Sequence, residues 1–319
     1  MPTPHVRSLV TVTPNSTIDR VVFVDHFAFG ETVRSTGAAW GMGGKSAVAA
    51  FVLGQLGMPS TATGFVAGET GRRMEAMLQG VGVQTSFLPV AGETRTTYVI
   101  ARTADGSQCT ITVESLEPTP ADAEALVEHA LTLLPPPGEP AVLFAGGSLP
   151  PGLPVDWYAQ LIRRAKARGV FTVLDTSGRF LAPNVAACPD LIKPNEAEIA
   201  TLVGHPVETP EEAVVAAHAL QERGVAVPVV TLGARGAVAA TPEGTFFVPP
   251  LRVPVVSTAG AGDGFSAGLI QARLNGASWP EALRWAGAVA AAVLLRPGTG
   301  VLNAADAHRL HADVRVERR

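Results

Sequence analysis

Short, continuous apolar runs alternating with longer helical stretches constrain this chain most. Residues 8–13, 141–145, 170–175, 190–192 and 229–232 read as strands, with no polar alternation along most of them. Strands of that kind are covered on both faces. Between and after them, 46–56, 71–78, 121–134, 155–168, 210–223, 263–274 and 279–294 read as helices, several of them ended by glycine or proline. Strand-helix-strand repetition predicts an α/β fold: a mostly parallel central sheet with helices on both faces.

Two stretches break the rhythm. Segments 21–35 and 94–113 are rich in Val, Thr, Phe and Tyr and lack helical periodicity, so they read as β-hairpins, the second turning at Asp105–Gly106. Neither fits the βα alternation, which places both in a small sheet outside the main one. Two hairpins over the open edge of an α/β sheet suit a lid on a single domain spanning 1–319.

Composition narrows the function. With 47% hydrophobic and 16% charged residues the chain can bury a large core, and a net charge of −4 argues against nucleic-acid or anionic-membrane partners. Cys109 and Cys188 form no CxxC and suit incidental thiols in a reducing compartment. The N-terminal apolar run is too short for a signal peptide, and no run of about 18 apolar residues marks a membrane span, so a cytoplasmic location is expected. Only Lys45, Lys166 and Lys193 among the 24 Lys and Arg residues are lysine. Two of the three follow or precede Gly or Pro in turns, where a compact ammonium is not interchangeable with a guanidinium.

The strongest motif is Ser257-Thr258-Ala259-Gly260-Ala261-Gly262-Asp263-Gly264-Phe265, followed by a helix of small residues. Gly260 and Gly262 let the backbone turn tightly and present N–H groups at a helix N-terminus, an anion hole suited to a transferring phosphoryl group. Asp263 in the first turn can take a proton from an attacking hydroxyl, or it can simply cap the helix. The run Gly43-Gly44-Lys45-Ser46 ends like a Walker A loop but has Ala39 where that motif needs glycine, and Phe265 breaks a dinucleotide fingerprint starting at Gly260. Segment 41–46 is either an anion-binding loop opening a helix or a flexible connection. In Lys193-Pro194-Asn195-Glu196-Ala197-Glu198, Asn195 and Glu198 have capping-box spacing, and their oxygens equally suit Mg2+ held through water.

Together these motifs resemble one family, the ribokinase-like (PfkB) carbohydrate kinases, in their branch of 1-phosphofructokinases and tagatose-6-phosphate kinases. The likeness runs from about residue 9 to about residue 300. It is carried by GAGD at 260–263, KPNEAE at 193–198, GGSLP at 146–150 and TPNSTID at 13–19. The resemblance implies sugar-hydroxyl binding by Asp19 and a sugar-phosphate site of Gly43, Gly44, Lys45, Arg95 and Ser148. It implies a nucleotide site of Lys193, Asn195, Thr231, Gly233 and Gly236, with Asn195 and Glu198 supporting Mg2+. Gly260, Ala261 and Gly262 are implied as the anion hole and Asp263 as the catalytic base. The implied cofactors are ATP and Mg2+, with a monovalent cation such as K+ left open; the implied partner is a second copy of the chain, paired through the lid.

This sequence departs from the branch at Ser46, where glycine is usual, at Val48, where an asparagine meeting the sugar is usual, and at Pro14 and Ser16. Fructose 1-phosphate is the first-ranked substrate, with tagatose 6-phosphate and fructose 6-phosphate as alternatives. An unphosphorylated sugar or nucleoside would leave Lys45 and Arg95 without a shared anion. A catalytically silent sugar-phosphate sensor would have no use for Asp263.

Overall fold

The computed structural model describes residues 8–104, 107–113 and 116–319. The turn expected at Asp105–Gly106 therefore lies outside the described residues. Ser8–Thr13 lies inside the main sheet, between Thr61–Val66 and Ala141–Gly146. Beyond Ala141–Gly146 follow Phe171–Asp175, Leu191–Ile192 and Val227–Thr231, every pair among these six strands parallel. All six residues of Ala141–Gly146 are buried, as its unbroken apolar run requires. One apolar cluster covers each face: Phe144 and Val173 look toward Val52, Leu269 and Val289, while Val10, Leu143 and Leu174 look toward Leu126, Trp157 and Leu161.

The sheet departs from pure βα alternation at one edge. Ala237–Thr241, Gly244–Val248 and Glu317–Arg318 continue it from Val227–Thr231, each antiparallel to the strand before it. Ala237–Thr241 and Gly244–Val248 are short apolar runs joined by a tight turn, whose Thr241 hydroxyl donates to Gly244 O at 2.8 Å. Helix starts follow local chemistry. Pro120–Thr132 and Pro210–Glu222 each open with proline behind a threonine capping box, Thr119 with Asp122 and Thr209 with Glu212. Among the described residues no helix is long and apolar enough to cross a membrane.

A separate four-stranded sheet runs in the order Gly37–Gly43, Thr17–Val24, Arg95–Arg102, Gln108–Ile111. Its first hairpin differs from the expected segment 21–35. Thr17–Val24 ends at Val24, and its antiparallel partner is Gly37–Gly43, across the connection 25–36. Glycine hid that strand, and close contact explains the glycine. A Cβ on Gly41 would stand 2.2 Å from Thr299 N, and one on Gly43 would stand 2.4 Å from Asp19 Oδ1. The sheet is tied to the core through Trp40, which lies between Arg20 of the sheet (4.6 Å) and Arg73 of helix Gly68–Gln79 (3.7 Å). The second expected hairpin appears as Arg95–Arg102 paired antiparallel with Gln108–Ile111.

Helix Ala261–Leu274 packs tightly on Trp279–Leu294 because glycine leaves room. A Cβ on Gly268 would lie 3.0 Å from Ala286 Cα, and one on Gly264 would lie 3.0 Å from Val293 Cγ2. That seat fixes the N-terminus of Ala261–Leu274 at the carboxyl ends of the parallel strands, where open α/β sheets bind ligands.

Candidate active site

The helix start carries the main chemistry. Gly260 is the N-cap residue, left-handed at φ 82°, and a Cβ there would come within 2.5 Å of Gly300 N. Asp263 is the third helical residue, partly exposed to the cleft, and makes no capping bond. It therefore is not the helix cap; the glycine loop closes the helix by itself and leaves the carboxylate to the cleft. A Cβ on Gly262 would stand 3.3 Å from Lys193 Nζ, so the lysine overhangs the loop.

A buried charge network lies beside Asp263. Asp175 ends strand Phe171–Asp175, and its side chain is fully buried. Its Oδ1 accepts from Lys45 Nζ at 2.7 Å, and its Oδ2 pairs with Lys193 Nζ at 3.0 Å. Lys45 Nζ also donates to Glu198 Oε1 at 3.0 Å. Burial alone would raise the Asp175 carboxyl, but the ammonium groups of Lys193 and Lys45 outweigh it and hold that carboxyl below its ordinary range. Burial would lower Lys45, yet the Asp175, Glu198 and Asp263 carboxylates hold it well above the usual ammonium range. Asp263 is pushed up to about 7, first by burial and then by the Asp175 charge, with Lys193 and Lys45 partly offsetting both. Two neighbouring carboxylates with pKa values driven apart are the pattern of a base beside a permanent anion.

Beside the strand of Gly41 and Gly43, Asp19 accepts from the Thr299 hydroxyl at 2.7 Å. Burial pushes Asp19 up to about 6, moderated by that hydrogen bond and by the Arg95 charge. Arg95 Nη2 and Asn15 Nδ2 both donate to Ser148 Oγ, at 3.2 and 3.0 Å. The Ser148 loop is fixed from behind, since Tyr158 and Thr176 hydroxyls both donate to Gly147 O, at 3.1 and 2.7 Å. Lys45 opens helix Lys45–Gln55 next to this loop: a Cβ on Gly147 would lie 3.7 Å from Lys45 N. Its ammonium, however, rests on Asp175 and Glu198 rather than beside Arg95. Val48 is buried beneath the Thr299 loop, its Cγ1 2.6 Å from where a Gly300 Cβ would be.

At the other end is a cleft of about 820 Å³ lined by Asn195, Thr231, Gly233, Gly236, Gly262 and Phe265. Thr231 N donates to Pro194 O at 3.0 Å, joining the two loops of the cleft floor. Gly236 is left-handed at φ 100°, and a Cβ there would stand 2.2 Å from Val248 O. Asn195 and Glu198 do form a reciprocal capping box, with Glu198 N to Asn195 Oδ1 and Asn195 N to Glu198 Oε2 both at 2.9 Å. That leaves Glu198 Oε1 and the Asp175 carboxylate as hard oxygen donors, and the lysines already on them show that they favour cations. Among the described residues no three acidic, His or Cys side chains gather into a metal cage. Such a donor set fits Mg2+ retaining most of its water shell.

The sequence reasoning missed three residues here: Asp175, Thr299 and Asn15. Asp175 was signalled by an acid at the carboxyl end of a buried strand, and Thr299 by its flanking glycines. Asn15 lies within the first motif. The four-stranded sheet reaches the same region, since Thr258 Oγ1 donates to Gln108 Oε1 at 3.3 Å.

Residues 8–305 match the model of the pfkB family carbohydrate kinases. A 1-phosphofructokinase of Haloferax volcanii is 34% identical over 314 residues, covering 97% of this chain and 99% of its own length. The 1-phosphofructokinase of Escherichia coli K12 is 32% identical over 297 residues, covering 92% and 93%. The crystal structure of Escherichia coli phosphofructokinase-2 in complex with potassium superimposes with a TM-score of 0.86 at 27% identity, covering 96% of this chain and 98% of that one. Site, fold and kinship agree: the chain belongs to the pfkB family of carbohydrate kinases, phosphotransferases that act on an alcohol group.

Proposed function

We propose that the protein transfers the γ-phosphoryl group of ATP to a free hydroxyl of a phosphorylated ketohexose, with fructose 1-phosphate giving fructose 1,6-bisphosphate as the first-ranked reaction. One observation carries this: two cationic stations share a site with two carboxylates of raised pKa, Asp19 and Asp263. Arg95 with Ser148 and Asn15 forms one station, and Lys193 over the Gly260–Gly262 loop forms the other. A substrate with phosphate at one end and a hydroxyl at the other spans from Arg95 to Asp263. Asp19 with its Thr299 bond orients the sugar hydroxyls. Asp263 accepts the proton of the attacking hydroxyl, and the backbone N–H groups after Gly260, with Lys193, stabilise charge building on the transferred group. Mg2+, when bound near Glu198 and Asp175, supplies neutralisation of phosphate charge. The four-stranded sheet excludes water as a lid, and its exposed Tyr98 and Ile111, with Phe29 on the 25–36 connection, support pairing of two subunits through it. A cytoplasmic site of action goes with ATP as donor. A monovalent cation, bound in the Escherichia coli neighbour, extends the same reading.

The test is ATP turnover with fructose 1-phosphate, fructose 6-phosphate, tagatose 6-phosphate, fructose, ribose and adenosine. Turnover confined to a phosphorylated ketohexose supports the reading, and turnover only on a neutral compound overturns the phosphate station. Arg95→Ala should then raise KM for the sugar phosphate about 30-fold, corresponding to the roughly 2 kcal/mol of a charged hydrogen bond. An unchanged KM removes Arg95 from the site.

The pH profile follows from Asp263. The base works only when deprotonated, and its carboxyl titrates at about 7 in the free protein. The acid limb of kcat/KM should therefore fall through pH 7, well above an ordinary carboxylate. A plateau extending below pH 5 is the contrary result.

A further inference from the structure

We propose that the Lys45 ammonium is an exchangeable counter-ion: it holds Asp175 and Glu198 until ligands arrive, and the sugar phosphate draws it away, which couples sugar-phosphate binding to divalent-cation binding. This rests on the reading that the substrate carries a phosphate.

Three observations support the exchange. The first is position. Lys45 Nζ lies 2.7 Å from Asp175 Oδ1 and 3.0 Å from Glu198 Oε1. Glu198 Oε2 is committed to Asn195 N, so Oε1 is the oxygen left for a metal, and it is the one the lysine occupies. The second is charge count. Asp175 and Glu198 carry two negative charges, and Lys45 and Lys193 carry two positive ones. A dication added beside them brings two surplus positive charges. A sugar-phosphate dianion arriving at Arg95 leaves about one negative charge unbalanced there. Moving one ammonium from the acids to the phosphate reduces both imbalances at once, and an unbalanced charge in a buried site is costly.

The third observation is reach. Lys45 is the first residue of its helix, after the two glycines Gly43 and Gly44, and its backbone abuts the loop that holds Ser148. Its flexible four-carbon stem can therefore swing between the acids and the Ser148–Arg95 station with its backbone held in place. About a quarter of its side chain remains exposed, whereas Lys193 is 6% exposed and clamped over Gly262. The two lysines thus differ in role: Lys193 is fixed and Lys45 can leave.

The experiment measures Mn2+ affinity by the electron paramagnetic resonance of free Mn2+. It uses the full chain with a non-hydrolysable ATP analogue, with and without fructose 1-phosphate. In the wild type the sugar phosphate should tighten Mn2+ about tenfold, and Mn2+ should tighten fructose 1-phosphate by the same factor in calorimetry, since binding linkage is reciprocal. Lys45→Met should bind Mn2+ tightly without sugar and show no further tightening. Lys45→Gln, which keeps a polar end, serves if the methionine variant melts early, and should behave likewise. Sugar phosphate that binds without changing Mn2+ affinity overturns the exchange, as does a lysine variant with wild-type Mn2+ affinity. If fructose 1-phosphate does not bind, the substrate assignment fails separately. Inorganic phosphate then replaces it as the probe. If that too is silent, the Mn2+ affinities of wild type and variant decide the counter-ion role alone.

Discussion

Asp263→Asn should lower kcat about a thousandfold or more while leaving sugar-phosphate affinity within a few-fold of wild type. The amide keeps the shape of the side chain and cannot take a proton, so it removes general-base catalysis and little else. Turnover by a coupled ADP assay and binding by calorimetry separate the two effects. A variant within tenfold of wild-type kcat would mean that the proton goes elsewhere. Thermal melting gives an independent check with a defined sign. The folded-state pKa of Asp263 is about 7 against an ordinary value near 3.8, so the folded protein binds more protons between those limits. Stability must then decline as pH rises through that window. The asparagine variant escapes this cost. It should melt a few degrees above wild type at pH 8, and the advantage should vanish near pH 4. A dead variant that melts higher at pH 8 cannot be dismissed as misfolded.

Asp175→Ala should be the most damaging single change to stability among the site residues. It strips the shared partner from two lysines, leaving Lys193 almost fully buried without its carboxylate. Breaking a buried pair from one side costs about 3–5 kcal/mol. Urea unfolding should show that loss as a lower midpoint with an unchanged slope. A wild-type midpoint would dismiss the ion-pair account. Asp175 is held below the ordinary carboxylate range, so its stabilisation is complete above about pH 4 and is lost as pH falls through its folded value. The stability deficit of the variant should therefore shrink in acid. Any residual activity should show its acid limb displaced below pH 7, because the second cause of the raised Asp263 value is the Asp175 charge.

What the sequence made legible had local causes. Continuous apolar runs mark the parallel strands because each is covered on both faces. The 260–263 loop announces itself because two glycines and an acid at a helix start have few uses. Strand Gly37–Gly43 was hidden because its glycines answer to Thr299 and Asp19, far along or across the fold, rather than to strand propensity. Asp175 escaped notice for a related reason: a lone acid at the end of a strand gains meaning only when Lys45 and Lys193, 130 residues before it and 18 after, fold onto it. Lys45 itself was picked out by the scarcity of lysine, but its partner was not, since the same residue can serve a phosphate or a carboxylate pair. The capping-box and metal readings of Asn195 and Glu198 turn out not to compete, because the box uses only one Glu198 oxygen.

The hydrogen bond from Thr299 to Asp19 joins residues 280 positions apart, and Gly41 is buttressed by that same loop. A chain growing from its N-terminus thus makes strand Thr17–Val24 long before the segment that backs it exists. Until residues near 300 emerge from the ribosome, Asp19 lacks its Thr299 hydrogen bond, the glycine strand has no backing, and the 260–263 loop has no wall at Gly300. Contacts of such long sequence separation are slow to close. A chain that stops short of Gly300 therefore lacks both the wall of the 260–263 loop and the partner of the Asp19 carboxylate at Thr299.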